Sequence, residues 1–479
     1  MSRKTDPFDY EPLTNTRSSS QTFRDDEFKI QSKRESHLEK RFHGEQSRKS
    51  EEVNSEPGTI QQKQEKDSTA GRFIFKSGHG VSFAGLYLFT FLLFFRPYEF
   101  SPSLMWLSRS ALITAIVTLL IFVPTQLGLE NRITVRPREV NLVLILVFFG
   151  LLSIPLAFDR TRAWNAWVEY VKVVIMFVVM VNVVRTEKRL RAIFLLVIVA
   201  TVVLSVSAVN DYRNGIMALG GTRIAGSIGG IFENPNDLAL HLVTFLPIVI
   251  ALLLASSNIL AQLFYVLVSL VMLGATVVTF SRSGFVGLLF VVGAFTWKLR
   301  RRNKAPVGLV AIPVILLFLL AVAPSSYRDR IATTGDASAE ARTGELKRSI
   351  YLSLTHPIFG LGMDNFVLFS NTEHATHNAY TQVSSEIGIP AAITYILFLV
   401  AAYKRLRRIP HPKDVEEKYR LVPYLAVGLQ ASLIGYMATS FFASVAFLWY
   451  VYYLVAYGIC LSRFSESSAR VLPDSTTSS

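Results

Sequence analysis

From Val81 to Leu461 the chain is dominated by uninterrupted apolar runs, each close to the length of about 20 residues that carries a helix across about 30 Å of hydrocarbon. Inside a bilayer every backbone N–H and C=O has to be satisfied within the segment, so runs of this length are helices. The expected fold is all-α and polytopic. About twelve spans are predicted from length and apolarity, with cores at Val81–Phe95, Met105–Gln126, Val140–Ala157, Trp164–Val184, Leu190–Val209, Leu238–Ala255, Ile259–Phe280, Gly284–Trp297, Val307–Ala323, Ile387–Tyr403, Leu421–Phe441 and Ser444–Leu461. Hydrophobic residues make up 51% of the chain, and its one cysteine, Cys460, lies in the last apolar run. No intrachain disulfide or Cys-based metal cluster can form, so redox chemistry is not expected.

The organisation follows from where polarity interrupts the runs. Residues 1–75 are rich in Ser, Gln, Lys and Glu, without the apolar period of a core, and are expected to be a disordered cytoplasmic tail. No short apolar stretch with a small-residue cleavage site follows Met1, so the tail is not read as a signal peptide. Residues 76–465 form the membrane domain, 324–385 a large loop between two late spans, and 466–479 a short disordered tail. The basic segments "NRITVRPREV", "RTEKRLR", "KLRRRNK" and "YKRLRRIPHPKDVEEKYR" fall at alternate junctions, which places them and both termini on the cytoplasmic side. That bias accounts for much of the net charge of +14, and no nucleic-acid partner is expected.

Three arginines fall at the opposite junctions, where the same rule disfavours them. Arg282, in "FSRSGF", is wedged between two spans; its guanidinium either snorkels to the surface or points into a polar cavity between helices. Arg342 continues the stripe Arg342, Leu346, Ile350, Leu354 of an amphipathic helix over about 338–355, so it is expected to face inward, with the helix on the membrane surface or over a cavity mouth. Arg223 stands in the glycine-rich stretch "GGTRIAGSIGGIFENPNDLA", where Asn236 or Asp237 is the expected N-cap of the next span. A helix N-terminus and three arginine forks suit a multiply charged anion bound at the outer leaflet, and a lipid pyrophosphate is the natural candidate. Glu169 and Lys172 are expected to pair at i, i+3, and His241 to bond to a neighbouring helix.

"HATHNAYTQVSSEIG" adds a proton acceptor. Histidine titrates near 6.5, so His377 beside a phosphate leaving group is suited to deprotonate an attacking hydroxyl. A metal site built from His374, His377 and Glu373 or Glu386 is the weaker reading, because no His-Glu-x-x-His signature is present. A purely structural boundary histidine is the plain alternative.

These pieces together resemble the O-antigen ligase and polymerase-like family of bacterial envelope glycosyltransferases. The resemblance lies in "THPIFGLGMDNF" followed by "HNAYTQVSSEIGIPAA", in "TRIAGSIGGIFENPNDLA" and in "FSRSG", and covers roughly Arg223 to Pro390. It implies transfer of a glycan from undecaprenyl pyrophosphate to an acceptor sugar hydroxyl at the periplasmic face of the inner membrane, with no cofactor and no required metal. Arg223, Arg282 and Arg342 would bind the pyrophosphate, His377 would act as base, and Asn236, Asn378 and Glu386 would support them. The 324–385 loop would then be periplasmic, with a glycan or lipid-linked acceptor and polysaccharide-assembly proteins as partners. "FRPYEF", after the first span, is closer to exopolysaccharide-polymerase relatives than to ligases that modify lipopolysaccharide. Transfer to a protein hydroxyl is an alternative within the family, and a transporter or flippase for an anionic lipid or solute is the alternative outside it.

Overall fold

The computed structural model describes residues 79–100, 102–216, 234–299, 337–370, 375–412 and 420–471, with residues 223, 224, 226, 232 and 415. All belong to the unit Arg72–Ser479. The expected tail over 1–75, the expected span Val307–Ala323, and Glu373 and His374 lie outside the described residues.

The described residues are helical, in the order α1 (His79–Phe95), α2 (Ser110–Glu130), α3 (Arg138–Ser153), α4 (Arg160–Val183), α5 (Glu187–Arg213), α6 (Pro235–Ala255), α7 (Ile259–Val278), α8 (Arg282–Leu299), α9 (Ala337–Thr355), α10 (Ala379–Ile387), α11 (Ile389–Arg407), α12 (Leu421–Thr439) and α13 (Trp449–Val471). Nine of them are long and apolar enough to cross a membrane, so the chain is a multi-pass membrane protein. This is fewer than the twelve spans expected from sequence. Besides the span outside the described residues, α1 is shorter than a full span, and the final apolar run behaves differently from the rest. Its helix starts at Trp449, not Ser444, because residues 443–448 form an irregular strip whose polar groups serve neighbours. Tyr450, Tyr452, Tyr453 and Tyr457 lower its hydropathy, yet all four are fully buried, which makes α13 a central post surrounded by protein.

α6, α8 and α12 form the tightest part of the bundle. A Cβ at Gly287 would lie 2.5 Å from the Thr439 side chain, and one at Gly435 would lie 2.6 Å from Val291, so only glycine admits this separation. Apolar side chains on the outer faces of α2 and α7 remain uncovered, with Leu120 70% and Leu260 73% exposed, as lipid-facing residues are.

Two ends of the bundle differ in chemistry. At one, Arg405 near the end of α11 forks onto the buried Glu139 of α3 through bonds of 2.7 and 2.8 Å, and Arg185 pairs with Glu130 at 2.6 Å. His411, beyond α11, bonds the Lys298 carbonyl of α8 at 3.0 Å, so all four basic segments contribute to this same end. The opposite end gathers the starts of α6 and α8, the end of α12, and helices α9 and α10.

Candidate active site

At that opposite end lies a cavity of about 250 Å³ whose lining includes Arg223, Asn236, Arg282, Arg342, His377 and Asn378. Segments separated by more than a hundred residues thus bring six of the seven sequence-derived candidates into one concavity. Phe280, Phe441 and Phe442 supply much of its apolar wall. Glu386 is not part of it.

The first wall is the start of α6. Asn234, rather than Asn236 or Asp237, is the N-cap: its Oδ1 accepts the Asn236 N–H at 2.9 Å, with Pro235 as the first helical residue. The sequence expectation was displaced because proline favours the first helical position, which puts the cap one residue before it. Asn236 is released for another task. Its Oδ1 accepts from Arg223 Nη2 at 2.7 Å and from Ser281 Oγ at 2.9 Å, tying the glycine-rich stretch to the α7–α8 turn. That turn reverses through Phe280 at φ +51° and delivers Arg282 as the first residue of α8, where it lines the cavity.

The second wall is α9. Arg342 and Leu346 line the cavity, but Ile350 and Leu354, 46% and 67% exposed, point away from the protein. The stripe expected from sequence therefore divides: its first half faces the cavity and its second half leaves the bundle. The buried face of α9 instead carries the polar Glu345, Ser349 and Ser353 beside Leu352. Ser370 Oγ donates to Glu345 at 2.8 Å, and Ser353 Oγ meets Ser384 Oγ of α10 at 2.8 Å.

His377 sits between these walls with φ +52°, a left-handed conformation that costs a non-glycine residue about 1–2 kcal/mol. Its neighbours hold it there. The His377 N–H donates to Ser444 Oγ at 2.8 Å, and Thr376 Oγ1 contacts the same hydroxyl at 3.0 Å. Asn378 accepts the N–H groups of Tyr380 and Thr381 at 2.9 and 3.0 Å, so it is the N-cap of α10 and fixes the helix one residue past the histidine. Asn378 follows His377 directly, with its Oδ1 committed to the cap.

The glycine motif beside it has a steric cause. Leu361 and Gly362 donate their N–H groups to the carbonyls of Ser385 and Glu386 at 2.9 and 2.8 Å, pressing the turn after α9 onto the end of α10. A Cβ on Gly360 would lie 2.4 Å from the Glu386 backbone, and one on Gly388, at φ +98°, would lie 2.0 Å from the Ile358 carbonyl oxygen. Glu386 therefore holds the loop by its backbone carbonyl. Its side chain makes no ion pair with an arginine among the described residues and lines a second cavity instead. Burial pushes its carboxyl up to about 8; the Asp364 N–H opposes the shift, the Asp364 charge adds to it, and Arg162 opposes it. The group is thus neutral at pH 7.

Two minor expectations hold: Lys172 pairs with Glu169 at 2.6 Å, and His241 meets Thr201 of α5 at 2.9 Å within an aromatic cluster. Ser444 was not anticipated, since its role depends on a break in the last apolar run that hydropathy alone does not mark.

Three guanidinium groups share a partly enclosed space with an imidazole. Residues 267–396 match a family model described as O-Antigen ligase, a stretch that carries Arg282, Arg342, His377, Asn378 and Glu386 but not Arg223 or Asn236. No curated protein matches the chain.

Proposed function

From an O-antigen ligase-like segment over residues 267–396, we propose that this protein moves a glycan from an undecaprenyl-pyrophosphate-linked donor onto an acceptor hydroxyl at the periplasmic face of the bacterial inner membrane. The observation that carries the reading is the convergence of Arg223, Arg282, Arg342 and His377 on one cavity, at the end of the bundle away from the basic segments. Basic segments favour the cytoplasm, which puts the cavity outside.

In the proposed step His377 accepts the proton of the acceptor hydroxyl as its oxygen attacks the anomeric carbon. The bond from that carbon to the pyrophosphate oxygen breaks, and the leaving group takes the electron pair. Arg223, Arg282 and Arg342 stabilise the charge that grows on it, because fixed cations in a low-dielectric pocket need no reorganisation. Asn236 sets the Arg223 fork and Asn378 sets the His377 backbone. No carboxylate lines the cavity among the described residues to form a glycosyl-enzyme, which supports a single displacement with inversion at the anomeric carbon. The candidates gather at one end of the bundle instead of at half-depth, which favours transfer over transport.

Purified protein with a lipid-linked oligosaccharide donor tests this. His377→Ala should lower kcat by about 10²–10⁴ while donor binding persists; full turnover in that variant would remove the base. Arg342→Lys should weaken donor use, since a point charge lacks the planar fork, and transfer should survive exhaustive chelation. A product with retained anomeric configuration would exclude the single displacement.

A further inference from the structure

Beyond α10 from the arginine cavity lies a larger one of about 680 Å³, within the range of about 300–1,000 Å³ that holds ligands. Its walls are apolar: Phe89 and Leu93 of α1, Leu112 and Ile116 of α2, and Val173 and Met176 of α4. Leu112 and Ile116 are 45% and 48% exposed, so the cavity opens sideways onto the lipid-facing surface of the bundle. At its inner end the wall changes character. Glu386, 3% exposed, lines it with an Oε2 that has no hydrogen-bond partner among the described residues. An unsatisfied buried carboxyl oxygen is destabilising, and a ligand hydroxyl would satisfy it. Gln382, one turn earlier on α10, lines the same end and accepts the Ala446 N–H at 3.3 Å.

The ionised groups here are balanced in pairs, which leaves little to hold an anion. Lys172 is paired with Glu169 at 2.6 Å, and Asp364, also on the lining, is paired with Arg162 at 2.9 Å. Nothing resembles the three arginines across α10. A phosphorylated head would find the cations here already paired, where the first cavity offers three guanidinium groups.

We propose that this second cavity holds the hydrocarbon chain of a membrane-anchored acceptor whose uncharged, hydroxyl-rich head meets Glu386 and Gln382. The assignment rests on the glycan-transfer reading and supplies its acceptor class, a neutral glycolipid. The wall between the cavities is thin. On α10, Asn378 faces one cavity and Gln382 and Glu386 the other; after α12, Phe441 and Phe442 face the first, and Phe447 and Trp449 the second. Along α10 the path from Asn378 to Glu386 is about 12 Å at 1.5 Å per residue, a distance an oligosaccharide head spans.

Native mass spectrometry of the full-length protein, offered a diglucosyl diacylglycerol against a phosphatidylglycerol of the same chains, measures the preference directly. The glycolipid should be retained about tenfold better, equivalent to about 1.4 kcal/mol. The preference should vanish in Ile116→Trp, which fills the cavity from its open side, and fall in Glu386→Ala while Glu386→Gln keeps most of it. Equal retention of phosphatidylglycerol, as for bulk lipid filling a wedge, overturns the proposal, and so does glycolipid retention unchanged in Ile116→Trp. In transfer assays Ile116→Trp should raise KM for the glycolipid and leave KM for the donor; a rise in donor KM instead would make the cavity a donor site. Because retention is read without turnover, absence of transfer in wild-type protein would count against the reaction and not against the lipid site.

Discussion

Glu386 sits in an environment far from solution. Its carboxyl is held up to about 8, chiefly by burial, while an unfolded chain would ionise in the ordinary carboxylate range. Folding therefore takes up a proton between those limits. The stability linked to this group is complete below the ordinary carboxylate pKa, declines as pH rises, and is lost once pH passes about 8. Glu386→Gln removes the titration, so in thermal melts of solubilised protein the variant should gain on wild type from about pH 4.5 to about pH 8 and hold a constant lead above that. A lead that does not change with pH would mean the carboxyl is not perturbed. Asn378 gives a second test at this scale. Loss of its cap in Asn378→Ala should cost about 1 kcal/mol of stability, whereas Asn378→Asp keeps the cap and sets a carboxylate beside the arginine cavity, so it should impair donor affinity more than melting temperature.

At the scale of elements, the site depends on backbone contacts that only glycine permits. Gly388→Ala would drive a methyl into the Ile358 carbonyl at a positive φ, and should lower the melting temperature sharply, by an amount worth at least about 1–3 kcal/mol; an unchanged melt would mean the turn after α9 can shift off α10. Most membrane helices were legible in the sequence, because a run of apolar residues in lipid has one stable backbone. The three arginines stood out for the converse reason: charge at junctions where orientation disfavours it has to be explained. What could not be read was whatever depends on tertiary neighbours. The Asn234 cap turned on one proline, Ser444 on a break inside an apolar run, and the division of the α9 stripe on which half of that helix meets the bundle. The second cavity left no linear trace, since its lining is drawn from α1, α2, α4, α10 and α13 and is mostly ordinary apolar sequence.

For the whole molecule, the two ends should be separable by labelling. The single native thiol, Cys460, is buried, so an introduced cysteine reports without background. In intact spheroplasts Gly344→Cys, at a position with open space around it, should react with an impermeant maleimide, and Arg408→Cys should react only after lysis. The reverse pattern would turn the arginine cavity inward and overturn the proposed periplasmic transfer. The same polarity has a cost during biogenesis. Arg223, Arg282 and Arg342 are cations that the insertion machinery tends to retain in the cytoplasm, so in the proposed orientation each span beside them would be threaded against its own charge. The correct hairpins are secured by the lysines and arginines at the far end, among them the cluster from Lys404 to Arg408. Neutralising that distant cluster should therefore yield misthreaded, rapidly degraded chains, although none of its side chains borders either cavity.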